Sequence, residues 1–243
     1  MRENDALQIY RGGDIIITDH IKLHQPTLGE VANFGEKEYF SLISIFTATP
    51  FDMIAQLDEV GIDFTKITDF ELFTMMIKNL TPDQSGILFG DVNFSEYRTI
   101  QHENGTFDLR YYDSVISEPV YRLMAKYIRQ IHCLAPPKYE KVGNEATRKK
   151  MIEFAKEDLK YASRKQYKSQ LQSIISSLVN HPNFKYGYYE IWDMPIGAFY
   201  DSMQRIHIIE NTHNLYQAMY SGNIDMSKIN KKELNWMRPI EFK

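Results

Sequence analysis

The sequence predicts a mainly α protein, with a helical bundle-like body, a short N-terminal β-hairpin and a small β-hairpin insertion near residues 99–110. Three observations support this class. Apolar residues recur every three or four positions over most of the chain, which is the period of a helix packed on one face. Two short stretches near the start favour strands. The pair Asn104-Gly105 is a strong short-range signal of a hairpin.

The first predicted element is the N-terminal hairpin, formed by residues 14–18 and 20–24. Three consecutive isoleucines in the first stretch are β-branched and favour a buried strand. The second stretch alternates polar and apolar residues. Pro26 ends it, and Thr27 has the spacing of a capping box with Glu30, so a helix should follow directly.

Three further helices are predicted before residue 82. Residues 36–47 place aromatic and aliphatic side chains on one face. Thr49-Pro50 combines a cap with proline at the first helical position and predicts the next helix. Thr68 opens the fourth helix, and we expect Pro82 to lie beyond its end.

The insertion and the second half complete the predicted organisation. Strands at 99–102 and 106–110 flank Asn104-Gly105, and a helix should cover 114–133. Pro136-Pro137 then opens a linker. Further helices are predicted as follows: 145–163, 165–179, one capped by Asp193 that ends near 220, and a short candidate at 230–236.

The linker predicts a division into two domains. We expect an N-terminal domain at 1–135, with the hairpin and the β insertion, and a C-terminal helical domain at 144–243. One continuous domain is the alternative, because 243 residues can build one large core or two small ones.

Composition narrows the function classes. Hydrophobic residues make up 43% and charged residues 25%, as in an ordinary soluble globular protein. The net charge of -4 is too mild to indicate nucleic acid or an anionic membrane as the main partner. No apolar run approaches the roughly 20 residues of a membrane span, and the start lacks a signal-peptide centre. Cys133, the single cysteine, excludes an internal disulfide and a cysteine-based zinc site.

The chain lacks the motifs of common catalytic sites. His20 and His24 lie on one predicted strand, about 13 Å apart, and cannot share a metal without a bend. We find no HExxH, nucleophile elbow, Walker A loop or dinucleotide fingerprint. We therefore expect no metal, no cofactor and no enzymatic activity.

One group of acids keeps a catalytic alternative open. Asp52, Asp58, Glu59 and Asp63 could serve acid–base work or bind Mg²⁺. A structural role is preferred for Asp52, because it falls in the first turn of a predicted helix, where a negative charge is stabilised. Asp58 and Glu59 are expected to be solvated.

A basic helix supplies the first candidate for partner binding. Residues 138–168 contain ten Lys or Arg and five Asp or Glu, and their densest basic patch is Arg148, Lys149 and Lys150. The interleaved acids would weaken attraction to phosphates, so we expect a protein contact or a solvated face rather than nucleic acid. The narrow apolar stripe of this helix suits docking against another helix.

Aromatic side chains supply the second candidate. Tyr186, Tyr188, Tyr189 and Trp192 lie too close in sequence for all of them to be buried, and such residues are enriched at interfaces. A local aromatic core is the alternative. Trp236, near the end of the chain, completes the predicted binding residues.

Residues 20–73, beginning HIKLHQPTLGE, resemble proteins from the tail-gene cluster of long-tailed phages and prophages of Gram-positive bacteria. The pattern consists of a P-T-L-G-E-type helix start at 26–30, an aromatic helix at 39–46, a T-x-P-x-D start at 49–52 and a G-I-D-F turn at 61–64. The ending INKKELNWM, at 229–237, is similar to the end of such proteins. The resemblance covers about the first third and the extreme C-terminus.

This resemblance implies a tail assembly chaperone that binds the tape measure protein in the cytoplasm of the infected host. Other tail proteins and a second copy of the chain are further candidate partners. A structural component of the virion tail or connector is the first alternative. A small enzyme or nucleic-acid-binding protein, using the acids at 52–63 or the patch at 148–150, is the second.

Overall fold

A computed structural model describes residues 6–222 and 229–240. It confirms the predicted class, a mainly α protein with two small antiparallel sheets, one of two strands and one of three. The first five helices are α1 (Ala6–Tyr10), α2 (Leu28–Phe34), α3 (Glu36–Thr47), α4 (Ile54–Glu59) and α5 (Asp69–Met76). The next five are α6 (Pro82–Phe89), α7 (Glu118–Ile131), α8 (Glu145–Ser163), α9 (Leu171–Val179) and α10 (Ile196–Tyr220). The strands are β1 (Ile15–Ile16), β2 (Lys22–Leu23), β3 (Arg98–Gln101), β4 (Phe107–Tyr111) and β5 (Ser114–Ile116).

The N-terminal hairpin and its capped helix are confirmed. β1 pairs with β2 in antiparallel register, with Ile15 opposite Leu23, and both side chains are fully buried. The Thr27 side chain accepts a hydrogen bond from the backbone of Glu30, and the Glu30 carboxylate accepts one from the backbone of Thr27. This reciprocal box satisfies N–H groups that the first turn of α2 cannot pair internally.

The main core is aromatic and is centred on α3. The Phe46 ring lies 4.7 Å from the ring of Phe89, 5.3 Å from that of Phe94 and 5.5 Å from that of Phe73, centroid to centroid. Helix α3 contacts α2, α5 and α7. The cluster includes side chains from Ile15 to Phe199. The division into domains at 136–143 stays a prediction.

The prediction missed helix α6. Pro82 does not follow the end of a helix but occupies the first position of the next one, α6. Thr81 and Gln84 form a further capping box there, and proline suits the first turn because its missing N–H would have no partner. Proline near two candidate helices is therefore ambiguous between a stop and a start.

The β insertion has one more strand than predicted. The hairpin around Asn104-Gly105 is present, as β3 and β4. Residues 114–116, which were predicted to begin a helix, instead form β5 against β4, with Ile116 opposite Leu109. Helix α7 begins only at Glu118.

Two predicted helix starts were wrong. The helix predicted from 165 begins at Leu171, and the long helix begins at Ile196, after Pro195 rather than after Asp193.

The start of the long helix, α10, is held by hydrogen bonds to the N-terminal region. The Ile196 N–H donates to the Pro26 carbonyl at 2.8 Å, and the Leu28 N–H donates to the Met194 carbonyl at 3.0 Å.

Helix α9 is capped by a residue distant in sequence. The Glu36 carboxylate accepts hydrogen bonds from the backbone N–H groups of Gln170, at 2.7 Å, and Leu171, at 2.9 Å. Burial tends to raise the pKa of Glu36, but hydrogen bonds from Ser169 and from these two N–H groups outweigh it and lower the pKa. The first turn of α9 therefore depends on the first turn of α3.

Helix α8 covers a second, smaller hydrophobic cluster. Ile54, Leu57, Phe64 and Leu72 form its buried part, and Met151, Ile152 and Ala155 of α8 pack against it. None of the α8 side chains is fully buried, and Phe154 stays 64% exposed on another face. The helix thus docks on α4 of the same chain through Met151 and Ala155 of the predicted stripe, whereas Leu159 of that stripe is exposed like Phe154.

A neutral histidine lies in the main core. The Nε2 atom of His132 is 2.6 Å from the Tyr39 hydroxyl, and its Nδ1 atom is 2.7 Å from the Ile128 carbonyl. The two contacts fit a neutral ring that donates from Nδ1 and accepts at Nε2. Burial lowers the pKa of His132 to about 4, below its ordinary 6.5.

We expect acid to destabilise the protein through His132. Below about pH 6.5 the unfolded chain binds a proton that the native state does not bind until about pH 4. The free energy of unfolding should fall through this window by about 3 kcal/mol from this group. Urea unfolding against pH should show a smaller loss for His132→Gln, and an NMR titration of His132 near pH 6.5 would contradict the prediction.

We expect Glu36→Ala to loosen α9. The change leaves the N–H groups of Gln170 and Leu171 without their acceptor and should lower the free energy of unfolding by about 1–2 kcal/mol. Amide exchange should accelerate most in α9. The matched control is Glu38→Ala, an exposed position in the same turn of α3, which should leave α9 exchange unchanged.

Candidate partner-binding surfaces

An open groove of about 840 Å³ lies between the N-terminal end of α5, one face of α7 and the segment 134–139. We call it the central groove. It separates residues of the main core, such as Phe70 and Tyr121, from residues of the smaller cluster, such as Phe51 and Phe64. Its surface is mainly apolar, and a mainly apolar cleft with a few polar groups at its edge is typical of a binding site.

Charged side chains edge the groove along α7. Arg122, Lys126 and Arg129 follow one another at helical spacing, and Glu118 lies one turn before Arg122. Arg122 forms an ion pair with Glu118 at 2.5 Å, between partly exposed side chains. An exposed pair of this kind contributes little to stability, so both side chains can rearrange around a bound partner.

Arg129 and Tyr139 tie the segment 134–139 to α7 and to the start of α5. Arg129 donates to the carbonyl of Ala135 at 2.7 Å and also to the carbonyl of Thr47. The Tyr139 hydroxyl donates to the Asp69 carboxylate, and its ring meets that of Phe51 edge-on. Burial and this hydrogen bond raise the pKa of Tyr139 to about 12. The groove is therefore preformed rather than a gap between loose segments.

The acids that kept the catalytic alternative open mostly have structural partners. Asp52 accepts hydrogen bonds from the backbone and hydroxyl of Thr49, both at 2.8 Å. Asp58 pairs with Lys156 at 2.5 Å. Asp63 caps the turn at Thr65, whose hydrogen bonds lower the pKa of Asp63. Within residues 6–222 and 229–240, no group of three or more His, Cys, Asp or Glu could hold a metal ion.

The predicted basic patch divides between two roles. Arg148 pairs with Glu145 at 2.7 Å and with Asp63 at 3.5 Å, so it helps to hold α8 on the small cluster. Lys149 and Lys150 are exposed beside it. Partner binding by these three residues stays a prediction.

The predicted aromatic cluster contributes to a second groove. This groove, which we call the side groove, has a volume of about 450 Å³ and lies between α2 and α9. Tyr188 and Trp192 line it, and Tyr188 is 60% exposed. Gly29 permits its geometry, since a Cβ there would lie 3.0 Å from the Trp192 carbonyl oxygen. Tyr189, 87% exposed, projects from the surface.

The remaining two predicted residues lie elsewhere. Tyr186 contacts the ring of Phe184 and is partly exposed. Trp236, 51% exposed, belongs to the segment 229–240 and lines neither groove. The structure thus brings together Tyr188, Tyr189 and Trp192 of the predicted set, whereas Trp236 and the patch at 148–150 line neither groove.

The segment 229–240 is attached to α10 through its main chain. Arg205 donates to the carbonyls of Trp236, at 2.8 Å, and Arg238, at 2.9 Å. The Thr212 hydroxyl donates to the carbonyl of Glu233 at 2.9 Å. These contacts place the segment 229–240 along α10 at Arg205 and Thr212, outside the main core.

The central groove was not predicted from the sequence. Its residues come from four separate stretches, and its apolar side chains follow the same spacing as ordinary core residues. The pair Pro136-Pro137, assigned to a linker, forms part of its edge.

None of the described helices combines the length and the apolar character that crossing a membrane requires.

Residues 163–241 match the model of a family described as the YomV second domain. The family derives from a Bacillus prophage, and the match fits a phage protein. It covers about a third of the chain and includes α9, the aromatic stretch, α10 and the segment 229–240. Neither the curated proteins nor the solved structures compared with the chain gave a match.

We expect Arg205→Ala to release the segment 229–240 from α10. Loss of two carbonyl contacts should raise local opening, so trypsin should cleave severalfold faster at the exposed Lys231 and Lys232. Arg122→Ala, which removes an exposed ion pair on α7, is the control and should not change this rate. Equal cleavage rates at 231–232 in all three proteins would contradict the role given to Arg205.

Proposed function

We propose that this chain is a non-enzymatic phage tail morphogenesis protein that binds the tape measure protein as a tail assembly chaperone. It would act in the cytoplasm of the infected host. The match of residues 163–241 to a phage-derived family supports a phage protein in general. The tail role is supported by the resemblance of residues 20–73 to tail-cluster proteins. The two segments do not overlap.

The central groove carries the mechanistic part of the proposal. A long helical protein that has not yet assembled exposes apolar stripes, and an apolar groove can cover such a stripe from water. The aromatic side chains of Tyr139, 55% exposed, and of the partly buried Phe51 offer contact area at its surface. Its fixed edges mean that little ordering would be required on binding.

The carboxylates support a surface role over a catalytic one. Asp52, Asp58 and Asp63 stabilise a cap, an ion pair and a turn, and two of them help to position α8. A catalytic group must instead be free to contact a substrate. A non-enzymatic role therefore accounts better for these contacts.

A structural component of the virion tail or connector is the second candidate, and stoichiometry distinguishes it from a chaperone. A chaperone leaves before the tail is complete, whereas a structural component stays at fixed copy number. We expect mass spectrometry of purified particles to detect no stoichiometric amount of this chain. Its presence at fixed copy number would support the structural alternative.

We expect Ala125→Arg to abolish co-purification of the tape measure protein from a co-expression strain. Ala125 lies half-buried on the α7 wall, and a long charged side chain there would occupy the central groove. Tape measure protein should then pass from the soluble to the insoluble fraction. The matched control is Ala146→Arg, at an exposed position of α8.

Thermal unfolding of both variants should establish that they fold. Tape measure protein that stays soluble without this chain, or that binds equally well to Ala125→Arg, would contradict the proposal.

A further inference from the structure

The segment beside the side groove has an unusual charge distribution. No aspartate or glutamate occurs between Asp158 and Glu190. The same stretch contains five basic residues, which are Lys160, Arg164, Lys165, Lys168 and Lys185. Since the chain carries a net charge of -4 and this stretch +5, the remainder carries -9.

These five cations are available to an anionic partner. All five are exposed, and none forms an ion pair within the described part of the chain. Arg148 and Lys156, earlier on α8, instead pair with acids of the same chain. The Lys165 ammonium lies 4.2 Å from the centre of the Tyr161 ring, a contact that leaves its charge unneutralised.

The side groove is apolar and adjoins this charged stretch, although none of the five cations lines it. Leu28, Val31 and Ile175 are its buried lining residues, and Ala32, Tyr188 and Trp192 line it with partly or largely exposed side chains. Lys168 directly precedes Ser169, which lines the groove. Glu36 is the single acid among its lining residues, and its carboxylate is occupied by the N–H groups of α9.

The chemistry of the groove favours a helix over single-stranded nucleic acid. Proteins that bind single strands stack successive bases on exposed aromatic faces. Here Tyr188 is nearly perpendicular to both neighbouring rings, at 86° to Tyr189 and 87° to Trp192, so the rings do not form a stacking surface. The exposed apolar side chains that line the groove fit the apolar stripe of a helix, and Lys168, which adjoins the groove through Ser169, fits an acid beside that stripe.

We propose that the side groove binds an amphipathic helix whose apolar stripe is flanked by acidic residues. The apolar stripe enters between α2 and α9, and the acids meet Lys165 and Lys168. This site goes beyond the function proposed above, because it is separate from the central groove and specifies the charge of its partner.

A synthetic helical peptide of about 20 residues, some 30 Å long, tests the proposal. It carries a leucine stripe flanked by glutamates, and its binding to the full chain is measured by fluorescence anisotropy. A second peptide has lysine at every glutamate position, and a single-stranded DNA serves as the competing anion. We expect the acidic peptide to bind, more weakly at high salt, and the basic peptide not to bind.

Paired variants identify the site. Lys165→Glu with Lys168→Glu should weaken binding of the acidic peptide by about tenfold or more. Lys22→Glu with Lys78→Glu, the same charge change at exposed positions that line neither groove, should alter it less than about twofold. Ala32→Arg, at an exposed position of α2 that lines the side groove, should also block binding without removing core packing.

The variants distinguish peptide binding at the side groove from partner binding at the central groove. Ala125→Arg should leave peptide binding unchanged, so a failure of the tape measure experiment would not affect this result. Absence of binding by the acidic peptide, or binding unaffected by both Ala32→Arg and the Lys165/Lys168 double variant, would overturn the proposal. DNA binding that is tighter than peptide binding and lost in the same double variant would overturn it in favour of a nucleic-acid site.

Discussion

The buried face of α3 and the polar atoms at its start hold together parts of the chain that are far apart in sequence. Phe46 packs among rings from α5, α6 and the segment that follows α6, and Tyr39 donates to the histidine at the end of α7. Glu36, in the first turn, caps α9. Both grooves depend on these contacts, because α7 forms a wall of the central groove and α9 a wall of the side groove.

Local signals in the sequence predicted much of the fold, because several helices and one hairpin begin at residues whose side chains favour a cap or a turn. The capping box at Thr27, the helix start at Thr68 and the Asn104-Gly105 turn are such signals, and each is present. The missed elements have weaker local signals. Helix α6 begins with a proline that equally suits a stop, and β5 has three residues whose pairing is set by β4.

The binding surfaces could be predicted only in part, for a physical reason. Tyr188 and Trp192 are close in sequence, so their proximity was foreseeable, and their density indicated an exposed cluster. The central groove arises where two hydrophobic clusters fail to merge, and no local pattern encodes such a gap. Arg148 illustrates the converse, since a cation that looks free in sequence is partly neutralised by Asp63 in the fold.

The attachment of the last described segment has a consequence for how this surface can diversify. Arg205 and Thr212 recognise main-chain oxygens, which every amino acid provides. Trp236 and Met237 point outward and take no part in these bonds through their side chains. The outward side chains of this segment can therefore be replaced one at a time while its main-chain attachment to α10 stays intact, so the surface that it presents can change at low cost to folding.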